Sequence, residues 1–383
     1  MKSEDFLTFQ MNSLEAALKE DIQYHGRDYF KDFYMIPNSL SSVSIKDIDL
    51  SCSFHGKKLK YPIFVGSLTG GEAGLTKINE TLGSFAKKYN IAQGIGDQIH
   101  CIGETVKEPI IKSYSIMREK NPDGVILANI SAKYLVQSEN YIEDVKKVVN
   151  IIKASGIEIY LSPLRDVLWD KNDIGLKGFI PKLKKLIETI DIPVIIKSIS
   201  SGLCNDDIRQ LWDIGVSGFN IGGVGGTSFA RMDTINRLTL SQKQSVSPIK
   251  RPLDFFGTPT VWSLLDISLR PENNDIPLIV GGGIRNGLQA VKAFAMGADL
   301  ISFAYPILIE LTEDFGYPKE KNLERWFERL IFQIKTVMAL FGAKTIEDLR
   351  TLVKSRTVIF GRTKEWIDGR KLVFPPKFIR KIH

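Results

Sequence analysis

Eight short apolar runs, rich in β-branched residues, recur along the chain, and each is followed by a turn and a segment with helical periodicity. The runs are residues 61–65, 91–93, 124–129, 157–162, 192–197, 216–221, 277–280 and 298–304. Several are almost uniformly apolar, which is typical of parallel strands that are covered on both faces. Eight such units predict an α/β fold of the (β/α)8 TIM-barrel type, closed by the last run.

Three segments depart from this pattern. Residues 1–55 form an N-terminal extension of mixed pattern, and residues 319–383 form a C-terminal helical extension. Residues 222–256 begin with a glycine-rich stretch and make a longer connection than usual, which predicts an active-site loop at the carboxyl ends of the strands. We therefore expect a single domain over residues 1–383.

The composition excludes several classes of protein. Hydrophobic residues make up 43% and charged residues 25% of the chain, as in globular proteins rather than disordered ones. The net charge of +7 is spread along helix-like segments, so we expect no nucleic-acid partner. No apolar run approaches the ~18 residues of a membrane helix, and the three cysteines are isolated. These features predict a cytoplasmic protein with a small-molecule substrate and no membrane partner.

The carboxyl ends of the strands predict a phosphate pocket, because a TIM barrel carries its site there. Glycines let a backbone approach an anion closely, and the loops after strands 7 and 8 are the usual phosphate site of this fold. The pocket that we predict is formed by Gly282, Gly283, Ala304 and Tyr305, with Thr227 as a further donor. The alternative is that these glycines only make tight turns.

Lys197 closes an apolar strand, where a buried ammonium group is costly unless it meets an anion. A flavin would satisfy it, because the reduced ring carries charge near N1. The alternative is that the side chain reaches solvent from the strand end.

Histidine is scarce in this chain, and no histidine lies between residues 101 and 382. A histidine base on the loops after strands 3 to 8 is therefore excluded, and a histidine-rich metal centre is disfavoured. Oxygen ligands such as Asp166 would instead suit Mg²⁺.

Several motifs together resemble those of type 2 isopentenyl diphosphate isomerases, an FMN-dependent family. The similarity extends from about residue 46 to about residue 370. It includes the Thr-Gly-Gly turn at 69–71, the Gly-Gly-Val-Gly-Gly-Thr-Ser-Phe loop at 222–229 and the Phe-Gly-Ala-Lys signature at 341–344. The loop at 222–229 is the most specific of these motifs.

The resemblance implies a cofactor, a reaction and an assembly. The implied FMN contacts are Ser67, Leu68, Thr69, Asn129, Lys197, Thr227, Gly282, Gly283, Ala304 and Tyr305. In this family reduced flavin is thought to act as an acid–base catalyst that converts isopentenyl diphosphate to dimethylallyl diphosphate, with Mg²⁺ holding the diphosphate. The family also tends to form homo-oligomers.

The chain departs from the family pattern in the part of the site that holds the substrate. Arg165 replaces a Gln that is proposed to move protons, and a guanidinium is a poor proton donor. Asp166 replaces the Glu that binds Mg²⁺, so it is the metal ligand that we predict. The basic N-terminal motif that grips the diphosphate is reduced to Lys2.

We therefore assign candidate catalytic roles to Arg165, Asp166 and Lys197, with Arg165 meeting an anionic substrate group. Asp97, Tyr160 and Ser162 are further candidates for proton transfer or hydrogen bonding; for Tyr160 and Ser162 the alternative is packing at the barrel mouth. Three hypotheses stay open. The protein isomerises isopentenyl diphosphate, or it catalyses another flavin-dependent step such as isoprenoid cyclisation or a redox reaction, or it binds FMN without catalysis.

Overall fold

Eight parallel strands close into a barrel in the computed structural model, which describes residues 3–103, 105–169, 175–236, 252–311 and 320–372. The strands of the chain are β1 (Phe33–Met35), β2 (Cys52–Phe54), β3 (Lys57–Leu59), β4 (Ile63–Val65), β5 (Ala92–Gly94), β6 (Ile126–Ser131), β7 (Gly156–Leu161), β8 (Val194–Ser198), β9 (Gly218–Gly222), β10 (Leu278–Gly281), β11 (Leu300–Phe303) and β12 (Thr357–Ile359). Strands β4 to β11 follow one another around the barrel, and β11 pairs with β4 to close it.

Helices alternate with these strands and cover the barrel. They are α1 (Ser3–Lys19), α2 (Thr76–Tyr89), α3 (Glu108–Lys120), α4 (Ala132–Gln137), α5 (Tyr141–Ile151), α6 (Pro163–Trp169), α7 (Phe179–Ile187), α8 (Asn205–Trp212), α9 (Phe229–Asn236), α10 (Thr260–Ser268), α11 (Gly287–Ala295), α12 (Tyr305–Leu311), α13 (Glu320–Phe341), α14 (Ile346–Arg356) and α15 (Gly361–Gly369). No helix in the described ranges is long and apolar enough to span a bilayer.

The predicted TIM barrel is confirmed, and each of the eight predicted apolar runs forms one of its strands. The boundaries differ by one or two residues, as expected where strand ends merge into turns. The barrel strands are buried on both faces, which explains their uniformly apolar sequences. The single-domain organisation stays a prediction.

The N-terminal extension is more regular than its mixed pattern indicated. Helix α1 packs against α9 at the carboxyl ends of the strands, and β1 pairs with β12 in a two-stranded antiparallel sheet. At the opposite end of the barrel, the hairpin β2–β3 buries Phe54 and Leu59 against Phe64 and Val125. The extension therefore covers parts of both ends of the barrel.

The predicted loop over residues 222–256 is partly helical. Its first residues follow β9, and α9 (Phe229–Asn236) and a 3-10 turn (Pro252–Phe255) lie within it. Residues 237–251 are outside the described part of the chain, as are Lys2 and residues 373–383. Ser228 at the start of α9 donates a hydrogen bond to the backbone oxygen of Asp254, so the two ends of the segment lie side by side.

Candidate functional site

A cavity of about 230 Å³ lies at the carboxyl ends of the barrel strands. Each barrel strand or the turn after it contributes to its wall, and α1 covers part of the mouth with Ser13, Leu14 and Ala17. The residues predicted to contact FMN all line this one cavity, namely Ser67, Leu68, Thr69, Asn129, Lys197, Thr227, Gly282, Gly283, Ala304 and Tyr305. The structure therefore brings the ten positions together, and their role in binding stays a prediction.

A buried carboxylate, Glu158 on β7, lies at the centre of the barrel below this cavity. Its Oε2 accepts hydrogen bonds from Ser67 Oγ at 2.5 Å and from Lys197 Nζ at 3.1 Å. Its Oε1 accepts a hydrogen bond from Asn220 Nδ2 at 2.5 Å. The anion that Lys197 contacts in the structure belongs to the protein, and the predicted role of Lys197 beside a flavin stays a prediction. The Lys197 side chain is 14% exposed, so most of it is buried.

Two glycines after β10 have backbone conformations that L side chains rarely adopt. Gly282 has a φ of +94° and Gly283 a φ of +89°. A Cβ atom at Gly283 would lie 2.3 Å from the backbone oxygen of Gly225, and one at Gly282 would lie 2.3 Å from the backbone oxygen of Gly223. These turns therefore require glycine for both conformation and space, which leaves bare backbone facing the cavity.

The segment after α1 reaches across to the same end of the cavity. Gln23 Nε2 donates to Thr227 Oγ1 at 3.0 Å, and Gln23 Oε1 accepts from Arg285 Nη2 at 2.8 Å. The Arg285 guanidinium lies 5.3 Å from the centre of the Tyr305 ring, and burial lowers the pKa of Arg285. Within the described residues no carboxylate lies within ion-pair distance of Arg285. A cation is therefore held next to the glycine turns, and none of the described carboxylates neutralises it.

These features fit FMN. Arg285 and the glycine turns provide a cation and close backbone approach, which suit a phosphate group. Across the cavity, Asn129 donates through Nδ2 to the backbone oxygen of Ile95 at 3.2 Å. Its Oδ1 is buried and has no hydrogen-bond partner among the described residues, so it can accept a hydrogen bond from a ligand such as a flavin ring.

Tyr160 and Asp97 form a hydrogen-bonded pair that comes from β7 and from the turn after β5, the strands on either side of the one that carries Asn129. Tyr160 Oη donates to Asp97 Oδ2 at 2.6 Å, and the backbone N–H of Ile99 donates to Asp97 Oδ1 at 3.1 Å. Burial raises the pKa of Asp97 above its ordinary range, although Tyr160 and the Ile99 amide oppose this. Burial, together with the Asp97 charge, holds the pKa of Tyr160 well above 10. The pair therefore places a proton between two oxygens that both line the cavity.

Arg165 also lines the cavity, but its charge is met by the protein. Its Nε donates to Asp233 Oδ2 on α9, and its guanidinium lies 5.8 Å from the centre of the Phe229 ring. Burial by itself would lower the pKa of Arg165, but the Asp233 carboxylate raises it above the ordinary value, so the side chain stays charged. The anionic group that Arg165 faces in the structure is thus Asp233, which the sequence analysis did not identify.

Asp166 is not among the residues that line the cavity. Ser162 Oγ donates to its Oδ2 at 3.3 Å, and burial raises the pKa of Asp166. No group of three or more His, Cys, Asp or Glu side chains suited to a metal occurs within the described residues. The assignment of Mg²⁺ to Asp166 stays a prediction.

Known structures share this architecture. A double mutant of flavocytochrome b2 with sulfite bound superposes with a TM-score of 0.61 over 96% of this chain and 88% of that chain, at 16% identity. A (putative) lactate oxidase from Pediococcus acidilactici superposes with a TM-score of 0.58 over 91% of this chain and 87% of that chain, at 16% identity. At such low identity these likenesses show the fold alone.

Sequence comparisons are more specific. Residues 178–355 match the family model of the FMN-dependent dehydrogenases. The isopentenyl-diphosphate delta-isomerase of Archaeoglobus fulgidus is 31% identical over 363 residues, which are 94% of this chain and 98% of that protein. The isopentenyl-diphosphate delta-isomerase of Methanothermobacter thermautotrophicus is 29% identical over 351 residues, 91% of this chain and 92% of that protein. The chain therefore belongs to the type 2 isopentenyl-diphosphate isomerases, a family of FMN-dependent isomerases.

Proposed function

We propose that the protein uses FMN to move the double bond of isopentenyl diphosphate or of a closely related isoprenoid. The observation that carries this proposal is the single cavity in which the ten cofactor positions and the Tyr160–Asp97 pair lie together. The relatives in Archaeoglobus fulgidus and Methanothermobacter thermautotrophicus, named as isopentenyl-diphosphate delta-isomerases, support the same reaction class.

Different residues of the cavity would bind the cofactor and the substrate. Bound in its reduced form, FMN would supply acid–base chemistry next to the alkene. Gly282, Gly283 and Arg285 would hold its phosphate, because they combine close backbone approach with a cation that forms no ion pair with any carboxylate in the described part of the chain. Asn129 would orient the ring through its buried Oδ1.

The substrate would lie on the side of the cavity that Tyr160 and Asp97 face. Tyr160 would hold a proton at Oη, with Asp97 as its acceptor, within reach of a reacting carbon. Leu14, Phe229 and Met232 line the same cavity and would contact the hydrocarbon part of the substrate. Apolar contacts of this kind also exclude water, which strengthens the hydrogen bonds of the site.

The Arg165–Asp233 pair favours a second candidate, a family member with another isoprenoid substrate or another flavin-dependent step. Where the family pattern has an uncharged Gln, this chain has an ion pair that occupies the wall of the cavity. An isoprenoid with a different head group, a cyclisation or a redox step would each suit such a change. The non-catalytic alternative would require FMN binding without turnover of any isoprenoid.

The decisive experiment is an anaerobic assay with reduced FMN, Mg²⁺ and isopentenyl diphosphate in D₂O. Formation of dimethylallyl diphosphate, with deuterium incorporated at carbon, is the expected result. The same assay without Mg²⁺ tests the metal requirement, and Asp166→Asn tests the predicted ligand. Protein that holds FMN but shows neither turnover nor exchange would exclude isopentenyl diphosphate as the substrate and leave the second candidate and the non-catalytic alternative.

The assembly and the domain organisation are part of the proposal. We propose a homo-oligomer, as the family resemblance implies, built from subunits that each form a single domain over residues 1–383. Light scattering after size-exclusion chromatography measures the mass against the 43.0 kDa of one chain. A mass of one chain at all concentrations would contradict the oligomer.

A further inference from the structure

The floor of the cavity contains a cation and an anion in direct contact. Glu158 is fully buried, and its Oε2 lies 3.1 Å from Lys197 Nζ. Ser67 and Asn220 donate to the same carboxylate, so both of its oxygens are hydrogen-bonded. Lys197, Ser67 and Asn220 all line the cavity, whereas Glu158 lies beneath them. Three cavity residues are thus held by one carboxylate that does not itself line the cavity.

Strand geometry explains why Glu158 occupies this position. Glu158 and Tyr160 are two residues apart on β7, so they point to the same side of the strand, which is the interior of the barrel. Lys197 lies opposite Tyr160 on the adjacent strand β8. Burying Glu158 alone would cost several kcal/mol, and its contact with Lys197 offsets that cost.

We propose that Glu158 is a positioning residue that neutralises Lys197 in the cofactor cavity, and that it thereby favours the neutral form of reduced FMN over the anionic form. This inference rests on the proposed function, because it requires FMN in this cavity. An unpaired lysine in the cavity would favour the anionic reduced flavin, since an opposite charge nearby stabilises an ionised group. The Glu158–Lys197 pair presents no net charge and removes that preference.

Other charged groups near the pair do not replace Glu158. Asp97 is the nearest other carboxylate that lines the cavity, and it is hydrogen-bonded to Tyr160. Lys197 lowers the pKa of Asp97, but burial outweighs this and leaves the pKa raised. Arg165, on the helix that follows β7, pairs with Asp233. Glu158 is therefore the group that contacts Lys197 directly.

The test is a spectroscopic titration of reduced FMN bound to the protein, which needs no substrate. The variants are Glu158→Gln, Lys197→Gln and the double variant, each loaded with FMN and photoreduced under argon. Glu158→Gln keeps the size of the side chain and leaves Lys197 charged. We expect it to raise the acid dissociation constant of the N1 proton of reduced FMN at least tenfold. Above the shifted pKa, this change corresponds to about 30 mV in the two-electron reduction potential of the flavin.

The double variant separates charge from structure. It removes both charges, so its N1 titration should return to within about threefold of wild type, although its stability need not. A merely structural role would leave the N1 titration unchanged in Glu158→Gln, or would make the double variant the most perturbed of the three. Either result would overturn the inference.

A matched control is Asp266→Asn, which removes a fully buried carboxylate that faces Arg270 and Arg370 away from the cavity. Its N1 titration should equal that of wild type, and a shift as large as that of Glu158→Gln would contradict a local effect. Wild-type protein that binds no FMN would refute the proposed function, and this outcome is distinguishable from failure of the inference about Glu158. Wild-type protein with bound FMN and an N1 titration that Glu158→Gln does not shift would refute the inference alone.

Discussion

Replacing Arg165 by Gln tests whether the ion pair on the cavity wall is what separates this chain from the family pattern. The guanidinium faces Asp233, whose side chain is 2% exposed, and is itself 16% exposed. Arg165→Gln therefore leaves a buried carboxylate without the cation that it contacts. A glutamine introduced alone does not restore a neutral site, because the negative charge of Asp233 remains.

The expected loss of stability follows from this geometry. Breaking a buried pair by removing one partner costs about 3–5 kcal/mol. An unfolding entropy of about 2.1 cal/mol/K per residue gives about 0.8 kcal/mol/K for this chain of 383 residues. The melting temperature should thus fall by about 4–6 °C. Because Asp233 raises the pKa of Arg165, the arginine is charged at every accessible pH, and its loss should cost the same from about pH 6 to 9.

The assay compares wild type, Arg165→Gln, Asp233→Asn and the double variant by urea denaturation with and without FMN. The double variant removes both charges and should recover more than half of the loss. It is also the variant in which isomerisation of isopentenyl diphosphate should be strongest, because it has a neutral amide at position 165 and no charge opposite it. The single variant should show less activity than the double.

Three outcomes would refute parts of this reasoning. If Arg165→Gln is as stable as wild type, the pair contributes no net stabilisation. If the double variant is no more stable than the worse single variant, the cost arises from packing against Phe229 rather than from charge. Equal activity of all four proteins would show that this wall of the cavity does not determine the substrate.

Three further predictions concern the cofactor end and the proton pair. Gly283→Ala should lower the free energy of unfolding by about 1–3 kcal/mol and abolish FMN binding in a fluorescence titration. The control is Gly369→Ala, where the introduced Cβ would have nothing within 4 Å, and it should change neither stability nor binding. Gln23→Ala should weaken FMN binding by about tenfold through the lost contact with Arg285, and unchanged affinity would contradict a role for this segment. Burial raises the pKa of Asp97 above 3.8, so its proton uptake stabilises the fold at low pH. The stability of wild type relative to Asp97→Asn, measured by urea denaturation, should therefore fall as the pH rises from about 4 through the raised pKa. An increase in this relative stability over the same pH range would refute the prediction.

The barrel was predictable because its strands have a simple physical signature. A parallel strand covered on both faces must be apolar along its length, and eight such runs leave few alternatives. Helix α1 was not predicted, because its burial depends on α9, more than 200 residues later in the chain. Helix propensity summed over a short stretch of sequence contains no information about a packing partner so far away in the chain.

The candidate site was predictable where glycine or strand ends carried the signal. The ten cofactor positions lie in barrel strands or in the segments just after them, and their convergence is a property of the fold. Asp233 was not predicted, since the relation between α6 and α9 is set by tertiary packing. Glu158 did carry a signal, because a carboxylate inside an apolar strand requires a partner, and Lys197 on the next strand is the nearest cation.

The contact between Gln23 and Thr227 joins residues 204 positions apart. During synthesis, the segment around Gln23 leaves the ribosome long before the turns after β9 and β10 to which it binds. Its docking must therefore wait until most of the barrel has been made, and closing so large a loop is slow. The cofactor end of the cavity is consequently completed late, after the chain has been made through β10, and we expect FMN to bind only once that stage is reached.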